Sequence, residues 1–201
     1  MKSIVKFSFL VVAFLFFATA INAQTVVLNP KYDTYVACTS KSSKNFSSEL
    51  FLKTINKTTD AYKKFETFIQ FQISKKDFGS IDKLQKATFR IYETGQGLKE
   101  EKKFSLAYIS ENNWDSSLTG IDRSELKMNA SPVSKGIKTF TKAENAPGTW
   151  YEVDVTQFVK SLSERSISFR IYNTGGVDDE DALYFVSSEN KENKPELVLE
   201  F

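Results

Sequence analysis

Phe65-Glu66-Thr67-Phe68-Ile69-Gln70-Phe71-Gln72-Ile73 is the stretch that decides the fold class. Ile69, Phe71 and Ile73 alternate with Gln70 and Gln72, the two-residue period of a strand buried on one face. Two further stretches repeat the device. In Ala87-Thr88-Phe89-Arg90-Ile91-Tyr92, Ala87, Phe89 and Ile91 take one face and Thr88, Arg90 and Tyr92 the other. In Ser166-Ile167-Ser168-Phe169-Arg170-Ile171-Tyr172, Ile167, Phe169 and Ile171 point inward, and Ser168, Arg170 and Tyr172 outward. Outward from these, strands are expected at 25–28, 34–37, 50–55, 103–108, 150–155, 182–187 and 196–201. Turns separate them: Asn29-Pro30, Asp77-Phe78-Gly79, Gly95-Gln96-Gly97, Ala146-Pro147-Gly148 and Asn173-Thr174-Gly175-Gly176. The 18 Phe and 8 Tyr suit strands. A short helix is expected at 156–163, with Thr156 as cap and Phe158, Val159 and Leu162 at helical spacing. About ten short strands with frequent turns predict an all-β sandwich of the jelly-roll kind. Each aromatic buried between its layers contributes about 1.5–3 kcal/mol.

Residues 1–23 read differently. Lys2 and Lys6 precede an apolar run from Phe7 to Phe17, and small residues lead to Ala23. That is the order of a secretory signal, too short for a membrane span of about 20 residues. Cleavage after Ala23 leaves 24–201 as one expected domain. It also removes two of the 27 basic residues and none of the 25 acidic ones, so the exported chain is close to neutral. This argues against a nucleic-acid partner. Charge is nonetheless segregated: 15 basic against 9 acidic residues over 25–110, and 10 against 16 over 111–201. Such blocks make either opposed charged faces or merely solvated ones.

The chain has no histidine, which excludes Ser-His-Asp and Cys-His nucleophile systems and histidine-ligated metals. The single cysteine, Cys38, has no partner for an internal disulfide and reads as a small buried apolar residue. No cofactor and no metal site is expected. Asp178-Asp179-Glu180-Asp181 lacks the interrupted spacing of a calcium loop and reads as a solvated loop.

Eight pieces, taken in order, resemble one family. They are Asp33-Thr34-Tyr35-Val36; Leu50-Phe51-Leu52-Lys53; Phe68-Ile69-Gln70-Phe71; Lys86-Ala87-Thr88-Phe89-Arg90-Ile91-Tyr92; Asn113-Trp114; Trp150-Tyr151-Glu152-Val153-Asp154-Val155-Thr156; Ser168-Phe169-Arg170-Ile171; and Phe185-Val186-Ser187-Ser188-Glu189 running on to Lys194-Pro195-Glu196-Leu197. The series is similar to the DNRLRE-type domain, also classed as carbohydrate-binding module family 96. The resemblance implies a β jelly roll in a secreted bacterial protein, with an acidic polysaccharide such as alginate as ligand. The chain departs from the family pattern at Phe65-Glu66, where an arginine is usual, at Gln72, and at Gly120-Ile121-Asp122.

Polyuronate binding calls for cations, hydroxyl donors and aromatic faces. Arginine matches a carboxylate with two parallel bonds, and tyrosine offers a ring with a polar tip. Arg90 with Tyr92, and Arg170 with Tyr172, supply both, and four such groups line one groove if the two strands share a sheet. Lys53 adds a charge from another strand. Trp114, in the polar loop 112–117, is a candidate for stacking on sugar or for packing; Trp150 reads as a packing residue. The alternative is that these outward residues pair with acids on neighbouring strands or pack under loops. Asp154 reads as a cap for the turn at Thr156. The expected activity is non-catalytic binding, set against two other readings: a structural or adhesive surface protein of the same fold, and a small lyase using a tyrosine base.

Overall fold

The computed structural model describes residues 24–57, 59–96, 100–125, 134–174 and 182–201. The signal-like segment, the Gly175-Gly176 turn and the Asp178–Asp181 run lie outside them.

Eleven strands run through the described residues: β1 (Thr25–Leu28), β2 (Tyr32–Ala37), β3 (Phe51–Thr54), β4 (Phe65–Gln72), β5 (Lys86–Glu93), β6 (Lys102–Ile109), β7 (Ser134–Lys142), β8 (Thr149–Asp154), β9 (Ser166–Asn173), β10 (Leu183–Val186) and β11 (Glu196–Glu200). Three short helices interrupt them: α1 (Lys75–Phe78), α2 (Gly120–Glu125) and α3 (Thr156–Lys160). All strand pairs are antiparallel, and they form two sheets. In the first, β5 has β8 on one side; on the other, β11 followed by β1, and β10 followed by β3. The second runs β2-β4-β9-β6-β7. The fold is the expected β-sandwich.

Period-two alternation explains the core. Ile69, Phe71 and Ile73 of the second sheet meet Ala87, Phe89 and Ile91 of the first, and every one is at most 2% exposed. Ile167, Phe169 and Ile171 join them. Phe89 lies 4.9 Å from Phe169, and Phe71 sits edge-on to Phe89 at 6.0 Å, the offset geometry that aromatic rings prefer.

Three elements differ from the sequence reading. β7 has no counterpart there: a bulge in its pairing with β6 shifts the register between Leu106 and Ala107, and its lysines break the apolar period. α3 ends at Lys160, three residues short of the expected 163, and Val155 rather than Thr156 stands at its cap. Asp154 does fasten the turn: Oδ1 accepts from the Thr156 N–H at 2.9 Å and hydroxyl at 2.6 Å. Finally, the outer face of the second sheet is partly covered. Loop 110–119 lays Trp114 and Leu118 over Val36, Phe68 and Ile109 to make a second, smaller core. Gly120 permits this closure, because a Cβ there would meet the carbonyl oxygens of Ala37 and Thr39.

Burial pushes two phenols up to about 12, from an ordinary 10.0. For Tyr35 the nearby Glu49 adds to the effect of burial, and for Tyr151 Glu93 does. Both bind their proton more tightly folded than unfolded. Their contribution to stability is intact below pH 10 and is lost as pH rises through about 12. An alkaline titration followed by tyrosinate absorbance is expected to show two phenols that ionise only as circular dichroism reports unfolding. Ionisation of all eight tyrosines in the folded state would refute this.

Candidate functional site

On the outer face of the second sheet, three adjacent strands place two rungs of side chains side by side. Tyr172 of β9 lies opposite Ser105 of β6, which lies opposite Thr139 of β7. One rung along, Arg170 lies opposite Ala107, which lies opposite Gly136. The first rung is a row of hydroxyls, with Ser105 Oγ and Thr139 Oγ1 2.7 Å apart. The second has a low floor: a Cβ built at Gly136 would touch nothing within 4 Å. The result is a trough of about 290 Å³ lined by Tyr172, Ser105, Thr139, Gly136, Ile137 and Lys138.

Arg170 stands beside it, its guanidinium 4.4 Å from the centre of the Tyr172 ring. Beneath it lies Glu66, whose Oε2 is 3.7 Å from Arg170 Nη1 and accepts a 2.6 Å hydrogen bond from Arg123 Nη2. The longer contact is Coulombic rather than a hydrogen bond. One carboxylate therefore faces two guanidiniums.

Arg90 and Tyr92 lie elsewhere. β5 belongs to the first sheet and β9 to the second, so the four Arg and Tyr side chains do not line one groove. The register sets Arg90 directly between Glu152 and Glu196. Its Nε lies 2.8 Å from Glu152 Oε1 and its Nη1 2.6 Å from Glu196 Oε2. One guanidinium between two carboxylates leaves about −1. This is the pairing with neighbouring acids that the sequence left open. Arg90 also lies 4.7 Å over the Trp150 ring, with Tyr92 edge-on to that ring at 5.5 Å, so Trp150 packs as expected.

Lys53 is taken up too. Its ammonium sits among three rings, 4.3 Å from Phe65, 4.9 Å from Tyr35 and 5.9 Å from Phe46, and burial lowers its pKa. Trp114 is only 7% exposed and its indole N–H donates to Ser168 Oγ at 3.1 Å, so the ring packs over the sheet. Of the candidate residues, then, only Arg170 and Tyr172 come together beside an open trough. Ser105, Thr139 and Gly136 were not singled out. Ser105 stands on the outward side of a recognised strand, but Thr139 and Gly136 lie on the strand that escaped notice.

Among the described residues, no group of three or more Cys, Asp or Glu side chains is placed to hold a metal ion. Cys38 lies next to the Glu66–Arg123 pair, and burial, with Glu66 adding to it, pushes its thiol up to about 12. Native protein is expected to resist thiol reagents near neutral pH and to react fully in denaturant. Rapid labelling of folded protein would contradict this.

The profile of carbohydrate-binding module family 96 matches residues 24–201, which takes in both sheets and the trough. The chain belongs to that family. A search of curated proteins found no match. Family 96 membership makes the chain a carbohydrate-binding module. The resemblance read from the eight sequence pieces is thereby upheld.

Proposed function

We propose that this family 96 module is exported with residues 1–23 removed, and that it binds an anionic polysaccharide such as alginate without cleaving it. The trough beside Arg170 and Tyr172 is the binding surface. The observation that carries this reading is the trough itself: Tyr172 and the Ser105–Thr139 hydroxyl pair line an open depression with the Arg170 guanidinium stacked on the Tyr172 ring, whereas Arg90 is clamped between two carboxylates. A polyuronate carboxylate is repelled by the acidic surroundings of Arg90, and meets the Arg170 guanidinium and the Lys138 ammonium at the trough. The Tyr172 ring and the Ser105 and Thr139 hydroxyls suit a pyranose face and its substituents.

Affinity electrophoresis tests this. The protein is expected to be retarded in gels containing alginate and to migrate freely in neutral glucan, with retardation fading as salt rises. Tyr172→Ala and Arg170→Gln should each weaken retardation about tenfold, the loss of one ring contact or one charge-assisted bond. Unchanged mobility in both variants would remove the trough from the site. Free migration in every gel would favour the structural or adhesive reading. Ultraviolet absorbance from unsaturated sugar product would make the protein a lyase.

A further inference from the structure

A second cleft, of about 390 Å³, lies where loop 110–119, α2 and the start of β2 meet. Its size is in the range of small-ligand sites. It shares no lining residue with the trough. We propose that this cleft binds an uncharged, hydroxyl-rich pyranose, giving the module a second carbohydrate site of different chemistry. The inference rests on the carbohydrate-binding character of the family, and not on the anionic ligand proposed for the trough.

Acceptors dominate the lining. Gln70 is 1% exposed and lines the cleft. Its amide donates to the Asn112 carbonyl at 2.9 Å and lies 3.4 Å from Ser168 Oγ. The donors of Gln70 are thus turned to the protein, which leaves its carbonyl oxygen as the group it can offer the cleft. Asp115, Asp122 and Glu125 add carboxylates against the single ammonium of Lys31. Asp115 is fixed by the Ser117 N–H at 2.8 Å and hydroxyl at 2.6 Å, which hold its pKa below the usual range. A lining with three carboxylates and one cation repels uronates and accepts hydrogen bonds from hydroxyls. Tyr32 supplies a half-buried ring for the apolar side of a sugar. The indole N–H of Trp114 is already taken by Ser168, so that residue offers the cleft only apolar surface.

Trp114 and Trp150 are the two tryptophans, so a proton–nitrogen correlation spectrum carries two indole N–H resonances. Cello-, manno- and xylo-hexaose are each titrated to millimolar concentration. At least one is expected to shift the Trp114 resonance while Trp150 stays still. Tyr32→Ala and Asn113→Ala, both at residues that line the cleft, should each weaken that response about tenfold. A polyuronate fragment should not displace the neutral sugar. Absence of a Trp114 shift with all three hexaoses overturns the proposal. So does displacement by polyuronate. Failure of alginate retardation, by contrast, strikes only the reading of the trough.

Discussion

Glu93→Ala is expected to destabilise the fold by about 3–5 kcal/mol, the cost of stranding a buried charge. In a chain of this size that is a fall of about 10 °C in melting temperature. Glu93 is fully buried and Lys142 is 2% exposed, and their Oε2 and Nζ atoms are 2.5 Å apart. Glu93 Oε1 accepts from the Gly95 N–H at 3.0 Å, and Lys142 donates to the Pro147 carbonyl at 2.6 Å. The two residues come from different sheets, β5 and β7, so their contact ties the layers together at one end of the sandwich in a chain without a disulfide. Without Glu93, the Lys142 ammonium stays buried with one carbonyl for company. Its strand partner is Lys102, whose own charge is met by Glu100 at 2.8 Å. The double variant Glu93→Leu with Lys142→Met should recover most of the loss, because it removes the charges rather than separating them. Thermal denaturation of the three variants checks this. A double variant no more stable than Glu93→Ala would show that volume, not charge, governs the site.

That pair marks where the sequence stops being legible. The inward positions of β4, β5 and β9 follow from period two alone, and all are sealed in the core. The same period carried past Ile91 puts Glu93 inward, but a carboxylate there makes sense only with Lys142 beside it. Lys142 lies on the strand whose pattern a bulge breaks. The candidate site shows the same limit. Phe89-Arg90-Ile91-Tyr92 and Phe169-Arg170-Ile171-Tyr172 are identical in local pattern, so nothing within them foretells that one arginine is clamped between two glutamates and the other stacks on its tyrosine beside a trough. That outcome depends on strand order and register, which bring Glu152 and Glu196 to Arg90 from opposite sides. Trp114 illustrates a different blindness. A polar loop permits exposure, yet the loop folds over Phe68 and buries the ring.

Glu66→Gln separates the two roles of the carboxylate beneath the trough. Its stability effect should be large, a loss of about 3 kcal/mol, since Arg123 is 4% exposed and, among the described residues, has no second carboxylate and no partner for its buried Nε. Its binding effect should run the other way. Removing the negative charge makes the surroundings of Arg123 and Arg170 more positive by one unit. A further unit charge near the surface contributes roughly 0.5 kcal/mol, about twofold in affinity for an anionic chain. Retention of the folded variant in alginate gels is therefore expected to increase at low salt, and the gain should vanish at high salt as screening removes it. Arg170 keeps its place over Tyr172 in this account, because the 3.7 Å contact with Glu66 is too long to orient it by hydrogen bonding. If the folded variant is retained less than the parent, Glu66 positions Arg170 after all. The trough would then owe its affinity to geometry set by that carboxylate rather than to local positive charge.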